Sequence, residues 1–171
     1  SGRAYLEWTM KRINENPQWR AQVVYGDTDS IFVHLPGRSK ASAFAIGQEI
    51  STEITSACPT DVKLKFEKVF YPCILSTKKR YVGFIYESAD QKVPNFDAKG
   101  IECVRRDQCG ATVKMQEACL RTLFRTKDMS QVKEYLLDQW GKMLQGGDKV
   151  IMSDFIFAKQ VKFGRYAEKG L

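Results

Sequence analysis

The chain has 171 residues, 43% hydrophobic and 27% charged, a globular balance that excludes wholesale disorder and a fibrous repeat. No apolar run approaches the ~18–20 residues of a membrane-spanning helix, so no membrane partner is expected. With 27 Lys and Arg against 20 Asp and Glu the net charge is +7, which suits a polyanionic partner as well as a solvated basic surface.

The excess is uneven: residues 1–60 are balanced, while 61–114 and 115–171 carry +4 and +3. Five cysteines without a C-x-x-C pair and the lone His34 exclude a clustered zinc site and a disulfide scaffold. Reduced thiols that pack as small hydrophobes, in a cytosolic or nuclear compartment, are expected. The first residues lack both a methionine and the apolar core of a signal peptide, so an internal piece of a longer protein is expected.

Leu6, Met10 and Ile13 recur at helical spacing, and Asn16-Pro17 closes that helix. Ala21–Tyr25 and Ser30–Leu35 are β-prone runs around Gly26-Asp27-Thr28-Asp29, which predicts a hairpin ending at Pro36-Gly37. A helix capped by Ser39 or Ser42 carries Ile46, Ile50 and Ile54 on one face and stops at Cys58-Pro59. Lys63–Phe70 alternates like a strand, and residues 76–80 form a basic turn into a strand over Tyr81–Tyr86. Residues 87–97 are polar and predict a loop. After Asp107 two amphipathic helices follow, the first with Met115, Cys119, Leu123 and Phe124. The second is capped by Asp128 or Ser130, holds Trp140 in its apolar face and ends at Gly146-Gly147. Asp154–Ala158 predicts a last short strand. The order predicts an α+β fold, with sheets and helices first and mostly helix afterwards.

Tyr25-Gly26-Asp27-Thr28-Asp29-Ser30 carries the most chemistry. Residues two apart on a strand share a face, so Asp27 and Asp29 project together and repel each other unless a cation lies between them. Hard carboxylate oxygens suit Mg²⁺, and two such ions activate a 3′-hydroxyl and stabilise a leaving pyrophosphate. An ordinary Asp-Thr-Asp turn capping its own backbone is the competing reading. An EF-hand is excluded, because the twelfth position from Asp27 is Arg38. The basic turn Lys78-Lys79-Arg80 adds cations for phosphate, a combination that suits an enzyme acting on nucleic acid and nucleotide.

At this point the sequence resembles the family B DNA polymerases over nearly its whole length. Tyr25–Ser30 is similar to the family's motif C. Four further blocks follow in the family's order: Lys63–Phe70, Lys78–Tyr81, Asp97–Glu102 and Val104–Asp107. Within the family, Phe96–Glu102 and Asp154–Lys159 resemble a translesion-type catalytic subunit, although replicative members have related blocks.

The resemblance implies a palm portion over residues 1–105, an antiparallel sheet with packed helices, and the start of a mostly helical thumb over 106–171. It implies Asp29 as a Mg²⁺ ligand, Asp27 as a weaker one and Glu67 as an accessory carboxylate, with two ions in the complete active site. Tyr25 and Lys79 would face the primer end, Lys79 in the minor groove, where all Watson–Crick pairs present acceptors. Lys78, Arg80 and Tyr81 belong to the same DNA-facing block, Lys78 and Arg80 as phosphate contacts or surface charges. Arg105 and Arg106 would grip duplex backbone, or else pair with Asp97, Glu102 or Asp107. The implied partners are primer–template DNA, a deoxynucleoside triphosphate and accessory subunits, in the nucleus. The family's other metal-binding aspartate and its nucleotide-selecting residues belong to motifs upstream of Ser1, so the piece alone is expected to be inactive. A non-catalytic DNA-binding module with a polymerase fold, and a nucleotide cyclase-like palm, are the alternatives from other classes.

Overall fold

Leu6, Met10 and Ile13 share one face of α1 (Gly2–Glu15), and Ile13 is fully buried. The chain is seen here in a computed structural model that describes residues 2–58, 62–146 and 151–158. After Asn16-Pro17 comes an antiparallel hairpin of β1 (Gln22–Asp27) and β2 (Ser30–His34), with Asp27 opposite Ser30. The strand thus runs on through Gly26 and Asp27, and the turn is only Thr28-Asp29, two residues shorter than the sequence predicts.

Helix α2 (Lys40–Ala57) starts where Ser39 Oγ accepts the Ser42 N–H (3.2 Å). Its Ile50 and Ile54 join Ile13, Trp19 and Ala21 in one core, with Ile31, Val33, Ile46 and Leu64 packed around them. Trp19 is 1% exposed, and its indole N–H donates to Glu49 Oε1 (2.9 Å). Truncating Ile54 in so closed a site costs about 2–5 kcal/mol.

Residues 63–68 alternate in burial as a strand would, yet form no ladder. The backbone of Leu64 is bonded by side chains of α2 instead: its carbonyl accepts from Ser51 Oγ (2.7 Å), and its N–H donates to Thr55 Oγ1 (3.0 Å). Phe66 lies against Gly47, where any Cβ would collide with its ring.

The regular strand begins later, as β3 (Val69–Thr77), and pairs with β4 (Arg80–Tyr86) and β5 (Asn95–Lys99) in an antiparallel sheet of order β3-β4-β5. The basic turn contracts to Lys78-Lys79, and part of the expected 87–97 loop is β5. Pro72 is tolerated because β3 is an edge strand.

Two compact units are present. The first holds residues through Lys79 with Gly83–Asp97; the second holds Arg80–Val82 and the residues from Ala98. In the second, α3 (Gly110–Thr126) and α4 (Met129–Gln145) form a helical pair around Phe124 and Val132. Lys127 ends α3 in the left-handed region (φ +56°), and Asp128 caps α4 through the Ser130 N–H (2.8 Å). Trp140 is 50% exposed rather than in a helix core, and it shares the outer side of α4 with exposed Leu137 and Leu144. Met152–Phe155 is a single 3-10 turn, not part of a strand. Asp154 there is tied to Lys114 of α3 (2.6 Å), and no β partner runs beside it among the described residues. Pro59, Gly147 and Lys159, named from the sequence, lie outside the described residues.

Candidate active site

The tip of the β1–β2 hairpin is a strained piece of backbone. The Asp29 N–H donates to the Asp27 carbonyl (2.6 Å) across Thr28, whose φ is +56°. This is a γ-turn of the left-handed kind, rare for any residue and more so for a β-branched one. Ser30 Oγ donates to the same carbonyl (3.3 Å). Strain of this kind costs on the order of 1–3 kcal/mol and persists where surrounding structure enforces it.

The two carboxylates differ. The Asp27 side chain is 22% exposed, accepts from Thr28 Oγ1 (3.3 Å), and has its Oδ2 3.6 Å from Lys79 Nζ. Asp29 is exposed, and its carboxylate has no partner among the described residues. Asp29 therefore presents unengaged hard oxygen, whereas Asp27 already has a counter-cation.

Lys79 reaches Asp27 because the two turns meet. The Lys79 backbone N–H donates to the Tyr25 hydroxyl (2.8 Å), and Lys79 itself sits at φ +63°. An aromatic row seats them: Tyr25 packs edge-on against Phe32 (5.7 Å), and Phe32 lies 5.3 Å from Phe70 of β3. Lys68 lies over the Phe70 ring (5.4 Å) and pairs with Asp97 (2.6 Å). Thus Tyr25, Asp27 and Lys79 are brought together, with Asp29 at the same tip. Glu67 is exposed on the segment before β3. Among the described residues no three His, Cys, Asp or Glu side chains gather tightly enough to hold a metal. Asp27 and Asp29 supply the hard carboxylate oxygens that a divalent metal such as Mg²⁺ takes, and they do not by themselves make a complete cage.

The remaining cations divide into held and open ones. Arg80 donates through Nη2 to Glu102 Oε1, and Glu102 Oε2 accepts from Gln116 Nε2 (2.9 Å). Gln116 Oε1 in turn accepts the Cys103 N–H (2.6 Å). The Gln116 bond, ahead of the Arg80 charge, holds the Glu102 carboxyl below its ordinary value. Arg105 makes two bonds to Asp107 (2.9 and 2.6 Å), which push that carboxyl down to about 2. Arg106 and Lys78 are exposed and have no partner among the described residues. Tyr81 is half-buried. Sequence reasoning missed Thr28 and Gln116, and nothing in the spacing of either residue announces its role.

Cys103 and Cys109 are buried, and all five cysteines are free. Burial raises the Cys103 and Cys119 thiols and brings Cys73 to about 11. His34 lies exposed at the end of β2.

The DNA polymerase family B model matches residues 2–170. The DNA polymerase zeta catalytic subunit of Homo sapiens is 54% identical over 160 residues, 94% of this chain and 5% of that protein. The zeta catalytic subunit of Arabidopsis thaliana is 53% identical over 168 residues, 98% of this chain and 9% of that protein. The DNA polymerase delta catalytic subunit of Bos taurus is 34% identical over 141 residues, 82% of this chain and 13% of that protein. The chain therefore spans a small fraction of the length of the relatives it matches.

Proposed function

The chain belongs to DNA polymerase family B, and on that premise we propose that it is part of the catalytic subunit of a zeta-type polymerase. The parent reaction is template-directed addition of a deoxynucleotide to a primer 3′ end, with release of pyrophosphate. The observation that carries the reading is the meeting of the acidic turn with the Lys78-Lys79 turn, which sets the Asp27 carboxylate beside Lys79. The margin of 54% against 34% identity favours zeta over delta.

In this reading residues 1–105 are palm and 106–171 begin the thumb. Asp29 and Asp27 would hold Mg²⁺ with further donors from elsewhere in the parent. When bound, the metal lowers the pKa of the 3′-hydroxyl and neutralises charge on the leaving pyrophosphate. Glu67 is an accessory carboxylate. Asp29 is the stronger ligand because its oxygens are unengaged. Lys79 faces the primer end; Lys78 and Arg106, the open cations, contact phosphate. Arg80 and Arg105 are held by carboxylates and contribute less to DNA affinity. The translesion role, the nuclear location and the accessory subunits are carried by the resemblance of Phe96–Glu102 and Asp154–Lys159.

The test is primer extension by the full-length parent with primer–template, deoxynucleotides and Mg²⁺. Extension that stops when the metal is chelated supports the reading. A parent that binds primer–template and never extends it supports a non-catalytic module, which the pair Asp27 and Asp29 otherwise opposes, since acids near phosphate weaken a mere grip on DNA.

A further inference from the structure

We infer that the Tyr25 hydroxyl is a positioning group that acts on the primer end through Lys79. The inference rests on the polymerase reading and assigns a mechanism to one of its residues. Lys79 adopts φ +63°, a conformation that a side-chain-bearing residue avoids without support. The support is visible: its N–H donates to Tyr25 Oη at 2.8 Å, a bond between residues far apart in the chain. The ring that carries this oxygen is fixed edge-on against Phe32, which itself packs on Phe70.

Lys79 is 65% exposed along its side chain, so its ammonium has few packing contacts of its own to fix it. Its place 3.6 Å from Asp27 follows from where its backbone is held. The phenol accepts this backbone N–H through a lone pair, so its oxygen is fixed relative to the Lys78-Lys79 turn. What it controls is the origin of a flexible four-carbon arm. Without that bond the Lys78-Lys79 turn relaxes, and the ammonium samples positions away from both Asp27 and the primer terminus.

A double-mutant cycle in the full-length parent tests this. Tyr25→Phe keeps the ring and its packing and removes only the oxygen. It should slow extension of a matched primer about two- to tenfold, the worth of one neutral hydrogen bond, mainly in kcat. The salt dependence of primer–template binding should not change, because no phosphate contact is lost. In a Lys79→Ala background, Tyr25→Phe should cost less than about twofold, since no ammonium remains to be positioned. Independent, multiplying losses from the two substitutions would overturn the inference and make Tyr25 a group acting without Lys79. Wild-type extension by Tyr25→Phe would overturn it as well. Failure of the polymerase reading itself looks different: Lys79→Ala and Asp29→Ala would then both leave extension intact.

Discussion

The Lys79 ammonium lies 3.6 Å from Asp27 Oδ2, joining the basic turn to the acidic hairpin. An exposed pair of this kind contributes only ~0–1 kcal/mol to stability. Its worth is geometric: it biases one carboxylate toward a lysine and leaves Asp29 open.

Lys79 and Lys78 should therefore differ although they are neighbours. Lys79→Ala in the parent should reduce matched extension by the loss of a charged hydrogen bond, ~1.5–3 kcal/mol. Extension from a mispaired terminus, whose acceptors are displaced, should fall less. Lys78→Ala should instead weaken all DNA binding uniformly and lower the salt slope by about one. Matched and mismatched extension at two salt concentrations, with binding titrations alongside, separates them. Equal losses on both termini and a lowered slope for Lys79→Ala would make that residue a phosphate contact.

The Arg105–Asp107 pair has a signature in acid. Asp107 titrates near 2 in the fold against an ordinary 3.8, because Arg105 bonds its ionised form. A depressed carboxylate adds stability that is complete above its unfolded value and is lost as pH falls through its folded value. The contribution should thus fade between about pH 4 and pH 2. Asp107→Asn should be less stable than wild type at pH 6, with the two midpoints converging across that window in thermal melts. A gap that stays constant down to pH 2 would remove the ion pair as the cause.

Gly110 opens α3 with Asp154 Oδ1 only 2.7 Å from where a Cβ would stand. Alanine in a helix normally gains ~1 kcal/mol over glycine. Overpacking costs about 1–3 kcal/mol, and the Lys114 ion pair (2.6 Å) holds the Asp154 carboxylate against swinging away, so Gly110→Ala should be destabilising. In an Asp154→Ala background the same change should become neutral or favourable. Thermal unfolding of the four variants checks this, and equal effects in both backgrounds would refute the contact.

Much of the fold is legible wherever one local rule acts alone. Ser39 and Asp128 cap their helices, and Ile46, Ile50 and Ile54 form one stripe on α2. The misreadings come where tertiary partners decide. Lys63–Lys68 alternates in burial, yet hydroxyls of α2 take the Leu64 backbone before any strand does. Pro72 and several exposed side chains disguise β3. Asn95–Lys99 is too polar to announce a strand and becomes one by lying beside β4. Asp154–Ala158 has the apolar run of a strand but no ladder to join among the described residues.

The site follows the same division. The acidic pair and the basic turn are visible as patterns. That Tyr25 holds Lys79, that Asp27 and not Asp29 takes the lysine, and that Arg80 is claimed by Glu102 depend on contacts between distant segments. No spacing encodes them.

The most direct measurement is primer extension by the full-length parent carrying Asp29→Asn, set beside Asp27→Asn and wild type. Asparagine keeps the shape of the γ-turn tip and removes one negative charge. Catalysis at this hairpin predicts that Asp29→Asn slows extension about a thousandfold, the loss of ~4 kcal/mol of transition-state stabilisation, while primer–template binding survives. Asp27→Asn should lose less. Extension by Asp29→Asn within several-fold of wild type would contradict the assignment of this turn as a catalytic metal ligand.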